Sequence, residues 1–372
     1  MSDHALIRDV FNKQLVQTIA YHISYVYSPF EHLKFSHKAS SFSHNDSFKS
    51  RANCIANALI QFLPNNFLES ALIIRRCVEK IEIKSNNWEN FIFMPFAIFV
   101  EKKGCQRAFL HVSMDLLKEI TKRFTSEFAI RSFIVHYPDE TLSILKEWTQ
   151  NNNHHVRRLV SEGLRPRLPW AQVIHRFIKH PEITLDILEL LKDDNSKYVQ
   201  KSVANHLNDI TKDNPEIALN ALEKWKKENR PNTNWIVKHA LRSELKKGNQ
   251  KALEIAGYSL SPNIEVSDFK LSSSKIKIGD YILFQFTITN IGSHEEQLMI
   301  DYICHFMKSN GRTAPKTFKL RTKSLKEGQS IHFKKKHSLQ IRSTRKIYPG
   351  KHRIELFING ISFKSNTFFI TP

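Results

Sequence analysis

Four segments in the first two thirds of the chain repeat one pattern of apolar residues. AIRSFIVHY, VRRLVSEGL, VQKSVANHL and VKHALRSEL align at Ile130, Val156, Val199 and Val237, which are 26, 43 and 38 residues apart. Each segment spaces its apolar residues three and four positions apart, which is typical of an amphipathic helix. Such a helix must bury its apolar face on a neighbour, and an interval near 40 residues favours stacked helix pairs. The sequence therefore predicts a solenoid of α-helices.

The helical pattern extends well beyond these four segments. From Arg51 to about Gly257 nearly every segment is helical in pattern, with separators such as FLPNN, HYPDE and KHPEI. Before it, a helical pattern from Leu6 to Ile23 passes into the polar stretch SHKASSFSHNDSFKSR, which we expect to form a loop or arm. We assign residues 1–257 to a HEAT-like repeat domain.

The pattern changes after Pro262 to short alternating runs such as IEVSDFKL, YILFQFTITNIG and QLMIDYICHFM. Alternation of apolar and polar residues is typical of half-buried β-strands. About seven such runs, with turn signals roughly every ten residues, favour an antiparallel immunoglobulin-like sandwich over residues 262–372. The predicted fold class is thus mainly α: a HEAT-like α-α solenoid followed by a C-terminal all-β immunoglobulin-like sandwich.

The charge of the chain indicates an anionic partner. Its formal net charge is +20 with a sequence pI near 9.7, which fits nucleic acid or an anionic membrane surface. No run of 18 apolar residues suggests a membrane span, and no glycine-rich phosphate loop supports a nucleotide cofactor. The four cysteines lack the C-x-x-C spacing of zinc sites, so we expect reduced thiols, no metal and a cytoplasmic protein.

Basic residues recur at equivalent positions of the aligned segments. One column holds Arg158, Lys201 and His239, the next Arg157, Gln200 and Lys238, and a third Arg165, Asn208 and Lys246. In stacked repeats these columns would form a basic track that follows a phosphate backbone. The alternative is an ordinary solvated helix face.

Acidic residues and an indole accompany the arginines of HVRRLVSEGLRPRLPW, residues 155–170. On a helical wheel Asp209 falls off the buried stripe, and Glu162 occupies an equivalent flank one repeat earlier. Both are expected to face one surface, with Trp170 at the corner between them and Glu127 nearby. Carboxylates in a basic cleft stabilise developing positive charge and orient a water molecule. The alternative is structural, with Glu162 pairing with Arg158, Asp209 capping or pairing with a lysine, and Trp170 filling a gap.

The run VRRLVSEGLRPRLPW, with DDNSKYVQKSVANHLNDITKDNPE and NTNWIVKHALRSELKKG after it, resembles the DNA alkylation repair family of HEAT-like-repeat DNA glycosylases, of the AlkC and AlkD type. The resemblance spans roughly residues 1–257, and the appended β-sandwich resembles the AlkC branch. It implies hydrolysis of the N-glycosidic bond of 3-methyladenine and 3-methylcytosine in DNA, without metal or cofactor. The damaged nucleotide would stay stacked in a bent duplex rather than flip.

The resemblance also implies roles for single residues. Asp209 would stabilise the cationic sugar and position water, Glu162 and Glu127 would be further acids of the cleft, and Trp170 would lie against the damaged nucleotide. The implied partner is double-stranded DNA bound by a nucleoid-associated monomer. The residues expected to bind it are Arg157, Arg158, Arg165, Arg167, Lys201, Lys238, His239 and Arg242.

Two other functions compete with this interpretation. A non-catalytic DNA-binding module would share the basic residues but have no use for Glu162 and Asp209, and a HEAT-type scaffold would bind a protein with little salt-dependent affinity for DNA.

From Pro262 onward the chain has 19 Lys and Arg against 8 Asp and Glu, which also favours nucleic acid. Lys319, Arg321 and Lys323 are candidate DNA contacts in that region.

Overall fold

The computed structural model describes residues 6–82, 89–341 and 346–372. Contacts divide the chain into two compact units. The first contains the residues up to Pro215 together with Arg230–Ile236, and the second contains Glu216–Asn229 and Val237–Pro372. The division therefore does not fall where helices give way to strands, and the boundaries 1–257 and 262–372 stay a prediction.

The first unit is built from α-helices. They are α1 (Lys13–Val26), α2 (His32–Ala39), α3 (Phe48–Phe62), α4 (Phe67–Lys80), α5 (Met94–Gly104), α6 (Leu110–Thr121), α7 (Ile130–His136), α8 (Pro138–Trp148), α9 (His154–Gly163), α10 (His175–Lys179), α11 (Glu182–Glu189) and α12 (Lys197–Asp213). Short 3-10 helices cover Ile7–Val10, Glu89–Phe93 and Arg107–Phe109.

The aligned apolar positions explain why these helices stack. Ile130, Val156 and Val199 are fully buried on α7, α9 and α12, and α9 packs against α12. Asn153 begins α9, because its side-chain oxygen accepts a hydrogen bond of 2.8 Å from the backbone N–H of His155. The predicted mainly α solenoid followed by β-structure is confirmed.

The polar stretch near the amino terminus is more ordered than its composition indicates. Its first four residues, 36–39, end α2, and its last four, 48–51, begin α3. Ser47 caps α3, and the buried guanidinium of Arg51 donates to the carbonyl oxygens of Arg8, Phe11 and His44. The prediction of a loop or arm is therefore wrong at both ends of the stretch, and residues 40–47 form the connection.

The second unit combines helices with two sheets. Its helices are α13 (Pro215–Lys227), the last residues of α14 (Pro231–Ala240), α15 (Arg242–Lys247) and α16 (Gln250–Ala256). Its strands are β1 (Ile264–Leu271), β2 (Lys275–Lys277), β3 (Tyr281–Asn290), β4 (Glu296–Met307), β5 (Thr313–Leu325), β6 (Ser330–Ser338), β7 (Gly350–Ile358) and β8 (Ile361–Thr371).

The strands form a sheet in the order β1-β3-β6 and a second sheet in the order β2-β8-β7-β4-β5. All pairs are antiparallel except β2 with β8. Inward-facing residues of both sheets, such as Phe284 and Ile354, form one apolar core. The prediction of a C-terminal β-sheet domain is confirmed. Lys319, Arg321 and Lys323 are exposed on β5, at the edge of the larger sheet.

Within the described ranges, no helix is both long and apolar enough to cross a membrane. All four cysteines are free thiols, two of them buried.

Candidate active site

The candidate site lies where α9 ends and the chain turns toward α10. Arg131, on α7, is buried under this turn and holds it through three backbone carbonyls: its guanidinium donates to Gly163 at 2.8 Å, to Arg165 at 2.7 Å and to Gln172. Burial, followed by the nearby charge of Arg165, lowers the pKa of Arg131 to about 10. The group is therefore still a cation at neutral pH, and the corner is built around a fixed positive charge.

Arg165 joins the two carboxylates that the sequence singled out. Its Nε donates to Asp209 Oδ2 at 2.7 Å, and its Nη1 donates to Glu162 Oε1 at 2.6 Å. The other oxygen of Asp209, Oδ1, accepts a hydrogen bond of 2.7 Å from Lys212 Nζ. Arg165, in the turn after α9, thus links a carboxylate of α9 to a carboxylate of α12.

Glu127 extends the same network. Arg158 donates to Glu127 Oε2 at 2.5 Å, and its other terminal nitrogen lies 3.4 Å from Glu162 Oε1. Ser202 donates to the second oxygen of Glu162 at 2.6 Å. Carboxylates and cations alternate along this ion chain, which we define as Glu127, Arg158, Glu162, Arg165, Asp209 and Lys212.

The ion chain is less exposed than the helical wheel predicts. The side chains of Glu162 and Asp209 are 7% and 2% exposed, so the prediction that Asp209 lies off the buried stripe is wrong. A wheel describes only its own helix, whereas Arg165 covers the flank of α12 from outside. Burial acts to raise the pKa of Glu162, but Arg158 and Arg165 outweigh it and hold that pKa below its usual range. Glu162 is therefore ionised at neutral pH.

Trp170 lies at the outer edge of this corner. Trp170 is 68% exposed. Its backbone has φ +64°, in the left-handed region that residues other than glycine rarely adopt. Its carbonyl oxygen accepts a hydrogen bond from Lys49 Nζ. The structural alternative for Trp170, a side chain that fills a gap between repeats, does not fit an indole that projects from the surface. The i,i+4 pair of Glu162 with Arg158 does form, but as one link of the ion chain.

The residues predicted to bind DNA fall into two groups. Four arginines are bonded to carboxylates: Arg158 and Arg165 within the ion chain, Arg157 to Asp194 and Arg167 to Asp213. Lys201 and, in the second unit, Lys238 are exposed, while His239 and Arg242 are partly buried, with Arg242 Nη1 donating to the His239 carbonyl at 2.8 Å.

The predicted basic columns are interrupted. Gln200 and Asn208, the middle members of two columns, are 0% and 4% exposed. Gln200 Nε2 instead donates to the backbone carbonyl of Asp194. The prediction of a continuous basic track is wrong at these two positions, because both side chains are uncharged and buried.

Several residues of the site were missed from the sequence. Ser202 lies one turn before His206 on α12, and Tyr198 lies under the guanidinium of Arg158, whose carbon is 4.9 Å from the ring centroid. Their positions on the first turns of α12, beside the aligned Val199, were an available signal. Lys49 is 121 residues from its partner Trp170, and no local pattern links the two.

The described residues contain no group of three or more His, Cys, Asp or Glu arranged to hold a metal ion. The corner places carboxylates in fixed contact with cations. Such a site holds anionic oxygens at set positions, and Trp170 follows Arg165 in the same turn.

Comparison with known proteins identifies the family of the chain. The family described as DNA alkylation repair enzyme matches residues 106–243, and the family described as "Uncharacterised protein YhaZ, C-terminal Ig-like domain" matches residues 265–372. The uncharacterized protein YhaZ of Bacillus subtilis (strain 168) is 32% identical over 355 residues, which cover 95% of this chain and 96% of that protein.

A solved structure of the alkylpurine DNA glycosylase AlkC of Pseudomonas fluorescens, bound to DNA containing an abasic site analog, is also similar. It has a TM-score of 0.91 and 34% sequence identity, and the match covers 99% of this chain and 100% of that one. The ion chain and Trp170 lie inside the segment that matches the repair family. This chain therefore belongs to the AlkC/AlkD-like family of DNA alkylation repair glycosylases, in the form that carries a C-terminal immunoglobulin-like domain.

Proposed function

We propose that this protein is a monofunctional DNA glycosylase for cationic N3-methylated bases. Its substrates are 3-methyladenine and 3-methylcytosine in double-stranded DNA, and its product is an abasic site. The observation that supports this most is the ion chain together with the exposed indole of Trp170, which follows Arg165 in the same turn, because fixed anionic oxygens and an aromatic face then belong to one corner of the fold. We place the protein in the cytoplasm, associated with the nucleoid of a bacterial cell.

The proposed reaction suits carboxylates rather than a strong acid. A methylated base carries a positive charge, so cleavage of the bond from the sugar to nitrogen leaves a neutral base without prior protonation. The electron pair of that bond moves to the base and the sugar becomes cationic. Asp209 stabilises this cation and orients the attacking water, with Glu162 and Glu127 adding negative potential. The water proton passes to a carboxylate or to solvent.

Access to Asp209 is proposed to open on one side. Its Oδ2 is fixed by Arg165, which is itself buried, whereas its Oδ1 is bonded to Lys212, whose side chain is 47% exposed. An exposed lysine rotates away at little cost. In this proposal Lys212 leaves Oδ1 when the sugar arrives, and Arg165 keeps the carboxylate in place.

Trp170 and the basic residues are proposed to hold the DNA. A positively charged base is attracted to the face of an indole, and an exposed ring reaches a base that stays stacked in a bent duplex. The exposed Lys201 and Lys238 meet phosphates most directly. Arg167 is exposed but bonded to Asp213, and Arg157, His239 and Arg242 are partly buried. Arg158 and Arg165 would have to give up a carboxylate to bind a phosphate. One molecule with one such corner acts as a monomer.

The test is release of methylated bases from DNA. Purified protein incubated with N-methylated duplex should release 3-methyladenine and 3-methylcytosine, and the strand should stay intact until the abasic site is cleaved by alkali. Asp209→Asn should lower release at least about 100-fold, as expected when a charge that acts in the transition state is removed, and should retain affinity for the duplex.

The matched control is Asp186→Asn, the same change at an exposed position of α11, which should release bases at the normal rate. Normal release by Asp209→Asn would contradict the role of Asp209. A wild-type protein that binds duplex but releases no base, and binds more tightly once Glu162 and Asp209 are alanine, would support the non-catalytic module instead.

A further inference from the structure

The backbone of Trp170 requires a restraint that its side chain does not supply. For a residue with a side chain, the left-handed conformation costs on the order of 1 to 2 kcal/mol. Buried packing normally offsets such a cost, but the indole is 68% exposed. The turn itself contributes hydrogen bonds from Ala171 N to the Leu168 carbonyl and from Ile174 N to the Pro166 carbonyl, both of 3.1 Å. The first bond closes the turn Leu168–Ala171 with Trp170 at its third position, and its N–H belongs to the peptide group that Trp170 shares with Ala171.

Two cations bind further carbonyls of this turn. Arg131 binds the Gln172 carbonyl from the buried side. On the outer side Lys49 Nζ donates to the carbonyl oxygen of Trp170 itself. The peptide group that follows Trp170 is thus held at its N–H by the turn and at its carbonyl by Lys49.

Lys49 is itself placed by the first turn of α3 and by an aromatic ring. Its Nζ lies 5.1 Å from the ring centroid of Phe128, which follows Glu127 in the chain. The ammonium group thus lies between the indole corner and the neighbour of the first carboxylate of the ion chain. Because Lys49 is exposed, its bond competes with water, so it orients the turn and adds little to the stability of the unit.

We propose that Lys49 is a positioning residue that fixes the backbone of Trp170 and so sets the direction of the indole toward DNA. The proposal rests on the proposed function for its effect on base release. It gives the stretch 36–51, which the sequence indicates only as a loop or arm, a part in recognition of the lesion. Through Lys49, this stretch would place an ammonium group against the turn that carries Trp170.

The first test does not depend on activity. The full chain is labelled with 5-fluorotryptophan, and the resonance of Trp170 among the five tryptophans is identified by its loss in Trp170→Phe. Lys49→Met, which keeps the alkyl stem, should shift or broaden the Trp170 resonance and leave the others unchanged. Lys49→Arg should restore it, since a guanidinium also donates to a carbonyl. An unchanged resonance in Lys49→Met would overturn the proposal.

The second test is a double-mutant cycle on single-turnover base release. Lys49→Met should slow release about ten-fold in the presence of Trp170, the scale expected when a contacting group is misplaced. In Trp170→Ala the same change should have less than about a two-fold effect. An equal loss in both backgrounds would show that Lys49 acts on DNA directly and would overturn the proposal. If the wild type releases no base, the proposed function fails while the fluorine resonance still decides the role of Lys49.

Discussion

At the scale of single residues, Arg165 determines the geometry of the candidate site. Its guanidinium contacts Glu162 and Asp209 with separate nitrogens, and all three side chains are at least nine-tenths buried. Removing one partner of a buried ion pair leaves an uncompensated charge and costs about 3 to 5 kcal/mol. Arg165→Met should therefore lower the free energy of unfolding by about 3 kcal/mol, measured by urea denaturation at neutral pH.

Arg167→Met provides the comparison, because Arg167 makes a two-pronged bond to Asp213 on the surface of the same unit. Its loss should be much smaller, since exposed ion pairs are screened by water. Equal losses for the two variants would mean that the bond through Arg165 stabilises no more than a surface pair.

The residues of the site were largely recognisable from the sequence, but their environment was not. Glu127, Glu162 and Asp209 do join one network, as their place in the aligned repeats indicates. The wheel nevertheless placed Asp209 at an open flank, because the position of Arg165 depends on a turn held by Arg131 from another helix. Side-chain partners from distant segments do not appear in local periodicity.

At the scale of elements, α9 and α12 are joined by a histidine that must be neutral. His206 on α12 is fully buried, and its Nδ1 lies 2.9 Å from the carbonyl of Ser161 on α9, which accepts a hydrogen bond from it. Burial is the largest cause that lowers the pKa of His206, to about 4. The neutral ring therefore links the residue before Glu162 to the helix that carries Asp209.

This histidine predicts a pH dependence of stability. In the unfolded chain the pKa of His206 returns to 6.5, so between about 6.5 and about 4 the unfolded state binds more protons. The folded state should lose up to about 3 kcal/mol of stability as pH falls through this window. His206→Gln, which still donates to the carbonyl but does not titrate, should lose less between neutral pH and about pH 5. The free energy of unfolding is measured by urea denaturation at several pH values for both proteins. If it falls equally with pH in the wild type and in His206→Gln, the prediction is contradicted.

Elements were predictable where periodicity is strong and local. The apolar stripe of α9 and the alternation of β3 both match the burial that the structure gives them. β2 has three residues and pairs in parallel with β8, about a hundred residues away in sequence, so it carries no pattern of its own. β5 lies at a sheet edge and alternates basic residues with the half-buried Phe318 and Leu320. Its many charges weaken the apolar alternation that identifies a strand, so the sequence indicated a DNA-binding segment there.

At the scale of the whole molecule, the net charge of +20 has to be separated into paired and unpaired cations. The four arginines between residues 157 and 167 are bonded to carboxylates and contribute little net field at a distance. The excess positive charge lies elsewhere, on exposed lysines such as Lys201 and in residues 262–372, which contain 19 Lys and Arg and 8 Asp and Glu. Duplex affinity is therefore expected to depend more on exposed lysines such as Lys201 than on these four arginines.

A salt titration of binding to undamaged duplex tests this distribution. If about six phosphates are neutralised, affinity should fall roughly 1,000-fold between about 50 and 200 mM salt. Lys201→Ala should reduce the log–log slope by about one, as expected for one lost phosphate contact. Lys227→Ala, which removes an exposed lysine 3.0 Å from Glu223, should leave the slope unchanged, because that charge is already compensated. A flat titration of the wild type would contradict DNA as the partner and favour a scaffold that binds protein, since only release of counterions makes affinity this sensitive to salt.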